Sequence, residues 1–290
     1  MAGGNFGGGS GTQADPFLIE DWADLETIQT ATTDYYYKVT ADLDANDRND
    51  GVWTAVDFKK FLEIDFDGHK IRNISSAAST ALFAVSAPAF GGTNDNTIKS
   101  FVMENIYSPN ASIFSLKSNG HKIENAKITA TCKSVANMYG HFNRCSIAIA
   151  NGEAAEATTR DRRVYFEQCS IKLTDGKLDS GHQYTAYTQT RVTGNIKSLS
   201  PSGTLYFGFA LTASIAAPAI NSVFAVRDDT NGGITSFRSD GTEPALPNLI
   251  DTSMLGDYTP TITNGIAATT AQANDLAWLQ EHGFMAVSAV

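Results

Sequence analysis

Between Ile123 and Leu173 the chain repeats one short phrase three times: Ile123-Glu124-Asn125-Ala126-Lys127-Ile128, Phe142-Asn143-Arg144-Cys145-Ser146-Ile147 and Phe166-Glu167-Gln168-Cys169-Ser170-Ile171. Each reads large apolar, polar, polar, small, polar, Ile, and the starts lie 19 and 24 residues apart. The small–polar–Ile ending alternates with period two, which is the spacing of a strand with one buried face. Recurrence at this interval marks stacked units, each burying its apolar face against the next. Superposed copies place Ala126, Cys145 and Cys169 in one internal column and Ile128, Ile147 and Ile171 in another. The pattern predicts an all-β chain, a parallel β-helix (solenoid) with those six residues as its core ladder.

The same pattern extends in both directions with more variation. Ile71-Arg72-Asn73-Ile74 and Met103-Glu104-Asn105-Ile106 match the start of the phrase, and their 32-residue separation predicts a protruding loop near Ala87 to Asn96. Gly68-His69-Lys70 and Gly120-His121-Lys122 are read as turns before their phrases. Ala150 to Arg163 and Asp175 to Gln183 are read as polar excursions, which a stack tolerates because they leave through turns. Val192 to Ile196 and Ile220 to Val226 supply candidate later coils. Leu205 to Phe209 reads as buried, with a subunit contact as one explanation. Near the start, Asp21 caps an expected short helix with Trp22, Leu25 and Ile28 on one face, placed to cover the open end of the stack. The resulting division is a glycine-rich docking arm (1–14), a cap with the first coils (15–60), the β-helix (61–228), and a non-repetitive closing or assembly segment (229–290). That last segment carries a short helix over Thr269 to His282.

Composition then narrows the function. A formal charge of −10 argues against nucleic acid as the main partner. Cys132, Cys145 and Cys169 are too few and too scattered for a disulfide framework and read as buried thiols, in keeping with a reducing cytoplasm. The start Met1-Ala2-Gly3-Gly4-Asn5-Phe6 has neither a basic region nor an apolar one, so no signal peptide is expected. No apolar run reaches spanning length, so no membrane insertion is expected.

The search for catalytic groups yields none that converge. Asp65 and Asp67 share a strand face, but glycoside cleavage needs carboxylates facing each other across a groove. Glu124 and Glu167 share a polar column, which suits a solvated ladder equally well. Asp42, Asp44 and Asn46 occupy alternate positions of an acidic run and are candidate calcium ligands, although Asp47 and Trp53 stand where a calcium loop wants Gly and Glu. The five histidines show no metal-binding spacing, and no cofactor is expected. Tyr35, Tyr37, Tyr184 and Tyr187 are candidate glycan-stacking residues if exposed, against the ordinary alternative of half-buried strand tyrosines.

The stretch Gly7 to Ile28, a strand over Tyr35 to Val39, and Phe61-Leu62-Glu63-Ile64-Asp65-Phe66-Asp67-Gly68-His69-Lys70-Ile71-Arg72-Asn73-Ile74 together resemble the opening of right-handed parallel β-helix proteins. These are found among tail fibres, tailspikes and baseplate proteins of tailed bacteriophages and among bacterial surface adhesins. The resemblance covers about residues 7–75. It departs at Asp67-Gly68-His69, where the family has a longer turn. It implies a right-handed, single-stranded β-helix and a non-catalytic structural or host-attachment part of a virion tail. It also implies a homotrimer contacting other tail or baseplate proteins, with a host cell-surface glycan as a further partner. A glycan-degrading hydrolase or lyase and an exported adhesin are the alternatives.

Overall fold

Strand alternation explains the first of two large sheets. The computed structural model describes residues 6–48, 53–86, 96–117, 120–156, 164–179, 185–188, 190–198, 205–207, 210–215, 223–224, 248–251, 261–262, 265–269, 271–272, 275 and 277–278. In the first, nine-stranded sheet, every strand pairs in parallel with its neighbours. Tyr37, Ile64, Ile98, Ile123, Phe142, Phe166 and Tyr187 are consecutive register partners across it. All seven are buried, and the residues flanking Ile64, Ile98, Ile123 and Phe142 along their strands are polar or charged.

The second sheet has thirteen strands. Its inner row runs Leu43, Ile71, Met103, Ile128, Ile147, Ile171 and Val192 in register. Between the two sheets the chain turns at Ser100, Asn125, Arg144 and Gln168, all with φ between 51° and 59°. The next residue in each case, Phe101, Ala126, Cys145 or Cys169, is fully buried. Cys145 Sγ donates to the carbonyl of Ile123 and Cys169 Sγ to that of Phe142, each at 3.4 Å. One turn later Thr190 Oγ1 does the same to Phe166 at 3.0 Å. At Cys145, Cys169 and Thr190 a small side chain with one donor therefore fills the corner and satisfies a carbonyl of the preceding phrase. Burial pushes the Cys132 thiol up to about 12 and raises that of Cys169 as well.

The expected right-handed single-stranded β-helix with a non-repetitive C-terminal segment requires correction. The described residues form two broad parallel sheets, a separate two-stranded pair and the short helix Trp22–Thr27, without one regular strand per turn on each face. Val102–Leu116 pairs first with Lys70–Arg72 and then with Phe83–Val85. Lys127–Met138 pairs first with Ser146–Ala150 and then with Glu153–Glu156, so the thirteen-stranded sheet branches. Nor is the closing segment outside the sheet, because Asn248–Asp251 and Gly265–Ala268 extend it in parallel. The repeated phrase spans one strand, a corner and the start of the next strand. It reports local register and carries no information on how far the second strand continues. The two-stranded pair joins Val223–Phe224 to Thr261–Ile262. Most of the helix expected over Thr269 to His282, and the loop from Ala87 to Phe90 and beyond to 95, lie outside the described residues.

At the start of the stack, Asp21 caps the helix Trp22–Thr27 by accepting from the Asp24 amide. Trp22, Leu25 and Ile28 are buried, with Trp22 edge-on to Trp53 and the Arg48 guanidinium 4.8 Å from the Trp53 ring centre. The glycine-rich stretch, expected to be a docking arm, is folded from Phe6 onward. Leu18 donates to the Gly8 carbonyl at 3.0 Å, Gly7 donates to the Leu18 carbonyl at 3.1 Å, and Phe6 stacks on Phe17. These bonds occupy the outer edge of Phe17–Ile19, which would otherwise offer unpaired backbone to another chain.

Candidate functional site

The outer face of the second sheet holds an open depression of about 370 Å³. Its floor is made by two adjacent pairs, Thr129 with Ala148 and Thr131 with Ala150, which are direct register partners. Small side chains at four neighbouring outward positions leave the sheet surface low. Lys172 and Thr174 bound it on one side, and Asn105 and Tyr107 on the other. Tyr107 is 55% exposed, the most exposed large hydrophobic residue described.

A local irregularity puts Tyr107 there. Met103 pairs with Ile128 and Ile106 with Ala130, so Val102–Leu116 carries one residue more than its partner across this interval. The extra residue is absorbed at Asn105, which sits at φ 55°. Such bulges re-aim the side chains that follow. After the bulge Tyr107 pairs with Thr131, placing its ring beside the low floor.

A polar relay fixes Asn105. The Asp44 carboxylate can only accept, so Asn73 turns its amide nitrogen to it, at 3.0 and 2.8 Å. Asn73 Oδ1 is then left to accept from Asn105 Nδ2 at 2.6 Å. Asn105 consequently presents its Oδ1 as an unused acceptor among the described residues at the rim of the depression.

The residues expected to carry function lie elsewhere. Tyr37 and Tyr187 are buried core residues, at 1% and 0% exposure, and cannot offer a face to a sugar. Each occupies the register position that Ile123 and Phe166 fill, and Tyr187 stacks on Phe166 at 5.1 Å. Burial also raises the Tyr37 hydroxyl. Tyr35 is half-buried, edge-on to Phe17 at 5.1 Å. Tyr184 lies outside the described residues.

Of the expected calcium ligands Asp42, Asp44 and Asn46, the two carboxylates are engaged by neighbouring protein groups. Asp42 accepts from the Lys70 amide and faces His69, while Asp44 accepts from Asn73, the Asn46 amide and Arg72 Nε. Asn46 thus serves the Asp44 turn through its backbone. Among the described residues no group of three acidic, histidine or cysteine side chains converges on a metal-sized site. The Lys70 amide holds the Asp42 carboxyl below the usual range, and the Asn73 amide does the same for Asp44.

Depressed carboxyl values stabilise the fold above the unfolded-state range near 3.9, and that contribution is lost as pH falls through the lower folded values. Asp44→Asn should therefore lower the melting temperature most near neutrality, where the contribution is fully present, and least below about pH 4, flattening the acid limb of the profile. An unchanged acid limb would show that these bonds do not report on folding.

Asp65 and Asp67 do not face one another across a groove. Asp67 pairs with Lys38 at 2.8 Å and Asp65 lies 3.5 Å from Lys99. Glu124, Asn143 and Glu167 form an outward row on the first sheet, with Glu167 2.8 Å from His141 Nε2. Among the described residues no helix is long and apolar enough to cross a membrane.

No family model and no curated protein matches the chain. Among solved structures it is similar to a Bacteroides ovatus protein described as a candidate immunoglobulin A1 protease. The identity is 15% and the TM-score 0.47, over 96% of this chain and 91% of that one. A likeness at this level defines neither a fold nor a chemistry for this chain.

Proposed function

We propose that this chain is a non-catalytic structural and host-attachment component of a bacteriophage tail, engaging a cell-surface saccharide at the Tyr107 depression. The observation that carries attachment is the exposed Tyr107 ring beside a floor of Thr129, Thr131, Ala148 and Ala150. An aromatic face next to a shallow floor carrying two threonine hydroxyls suits a sugar ring, whose C–H face packs on the aromatic while its hydroxyls meet threonine. Long in-register ladders on both sheets supply the stiffness an appendage needs. The tail context, and with it a homotrimer among other tail or baseplate proteins, follows from the resemblance of residues 7–75.

The test is adsorption of labelled protein to candidate host cells, with purified lipopolysaccharide and capsule incubated in parallel. Binding without fragment release is expected, together with loss of binding in Tyr107→Ala. Fragment release would replace this reading with that of a glycan-degrading enzyme. Absence of the chain from purified tail particles would overturn the tail assignment, and a stable monomer in mass photometry would overturn the trimer.

A further inference from the structure

Lys172 decides what kind of saccharide the depression suits. Lys38, Lys70, Lys99, Lys133 and Lys177 each lie within 4.0 Å of a carboxylate. Lys172, exposed at the edge of the depression, has no such partner among the described residues. In a chain of formal charge −10, a cation left without a carboxylate beside a concave surface is available to a ligand. The nearest acidic neighbour in sequence, Asp175, accepts from Asn195 Nδ2 at 2.8 Å. Across the floor, Asn105 offers the acceptor oxygen fixed by the Asp44–Asn73 relay.

We infer that the depression binds an acidic saccharide, with one ring on Tyr107, hydroxyls at Asn105 Oδ1, Thr129 and Thr131, and a carboxylate at Lys172 Nζ. This rests on the attachment reading above and goes further in naming the charge of the ligand. Tyr107, Thr131, Ala150 and Thr174 are successive register partners, so the row spans three strand spacings, about 14 Å. That length accommodates a short oligosaccharide. A nucleic acid would need a row of cations, of which the depression offers one. An added peptide strand would need a free edge, and the floor strands are paired on both sides. Overall negative charge does not prevent local binding, since exposed charges beyond about 8 Å are screened at physiological salt.

The experiment titrates the full chain with oligogalacturonate, oligomannuronate and hyaluronan oligosaccharides, each beside its carboxyl-reduced neutral counterpart. At least one acidic ligand should bind about three- to fivefold tighter than its neutral form, as one exposed ion pair allows. Lys172→Gln should erase that difference. Tyr107→Ala should weaken both forms on the order of tenfold or more. Ala148→Leu, which raises the floor, should weaken both without touching either ring or charge. Unchanged melting curves confirm that each variant folds. Equal binding of acidic and neutral forms, indifference to Lys172→Gln, or no binding of any acidic ligand overturns the inference. If cells are still bound in those cases, the attachment reading stands without it. If cells are not bound either, both fail.

Discussion

Phe166→Ala is expected to lower the stability of the central strands by about 3–5 kcal/mol. Phe166 is fully buried in a continuous aromatic row, with Phe142 on one side at 5.1 Å and Tyr187 on the other at 5.1 Å, the latter nearly parallel at 8°. Removing the ring deletes both stacking partners at once and leaves a void. In many cores the surroundings collapse into such a void and recover part of the loss. Here the flanking strands are held at the spacing of their backbone ladders, Gly140–Asn143 to Val164–Glu167 and that strand to Thr185–Thr188. They cannot approach without breaking those hydrogen bonds, which puts the cost in the upper part of the range. Stacked units open locally, so hydrogen exchange gives the sharper measurement. Protection should fall in the strands around Phe142, Phe166 and Tyr187 and persist at the Trp22–Trp53 cap. A loss below about 1.5 kcal/mol would mean that the ladders close over the hole and are not rigid.

What was legible in the sequence was register. The large apolar positions Ile123, Phe142 and Phe166 do pair in succession, as do Ile128, Ile147 and Ile171. Period-two burial writes this directly into side-chain type. The same logic, applied to the tyrosines, would have placed Tyr37 and Tyr187 in the core, since they occupy the register row of Ile123 and Phe166. As aromatics alone they suggest an exposed stacking surface; as members of that row they belong inside.

The corner positions were visible only as polar residues. Their positive φ follows from a left-handed turn that Asn accommodates readily, while Arg144 and Gln168 adopt it only because the corner enforces it. Tyr107 was missed because its exposure depends on the extra residue at Asn105. A bulge is a mismatch between two strands, and one strand read alone does not show it. The branching of the thirteen-stranded sheet was hidden for the same reason, as it depends on which distant segments pair with the far ends of Val102–Leu116 and Lys127–Met138. The partners that engage Asp42 and Asp44, namely Lys70, Arg72 and Asn73, lie on or beside the neighbouring strand and are not visible in the acidic run alone.

Gly152→Ala is the second large effect expected, about 3 kcal/mol of destabilisation. A Cβ there would fall 2.0 Å from the Cys132 carbonyl oxygen, and that obstacle is backbone, not a mobile side-chain tip. The opposite side is also closed, since the Gly152 carbonyl accepts from the Lys177 amide at 2.9 Å and a Cβ on Gly176 would lie 2.5 Å from that same oxygen. Three neighbouring strands therefore meet around Gly152 with no room to yield. Gly68→Ala is the control. Its φ of +87° disfavours alanine, but its Cβ would meet nothing within 4 Å, so the cost there is backbone conformation alone, about 1 kcal/mol. Urea melts of the two variants separate close approach from φ strain. Because Gly152 follows Ala150 of the floor by two residues, the displaced strand should also disturb the depression. Gly152→Ala is then expected to reduce saccharide affinity at temperatures where it remains folded, which Gly68→Ala should not do. If both variants melt alike and bind alike, the strands around Gly152 can part, and the floor beside Tyr107 is not held by their packing.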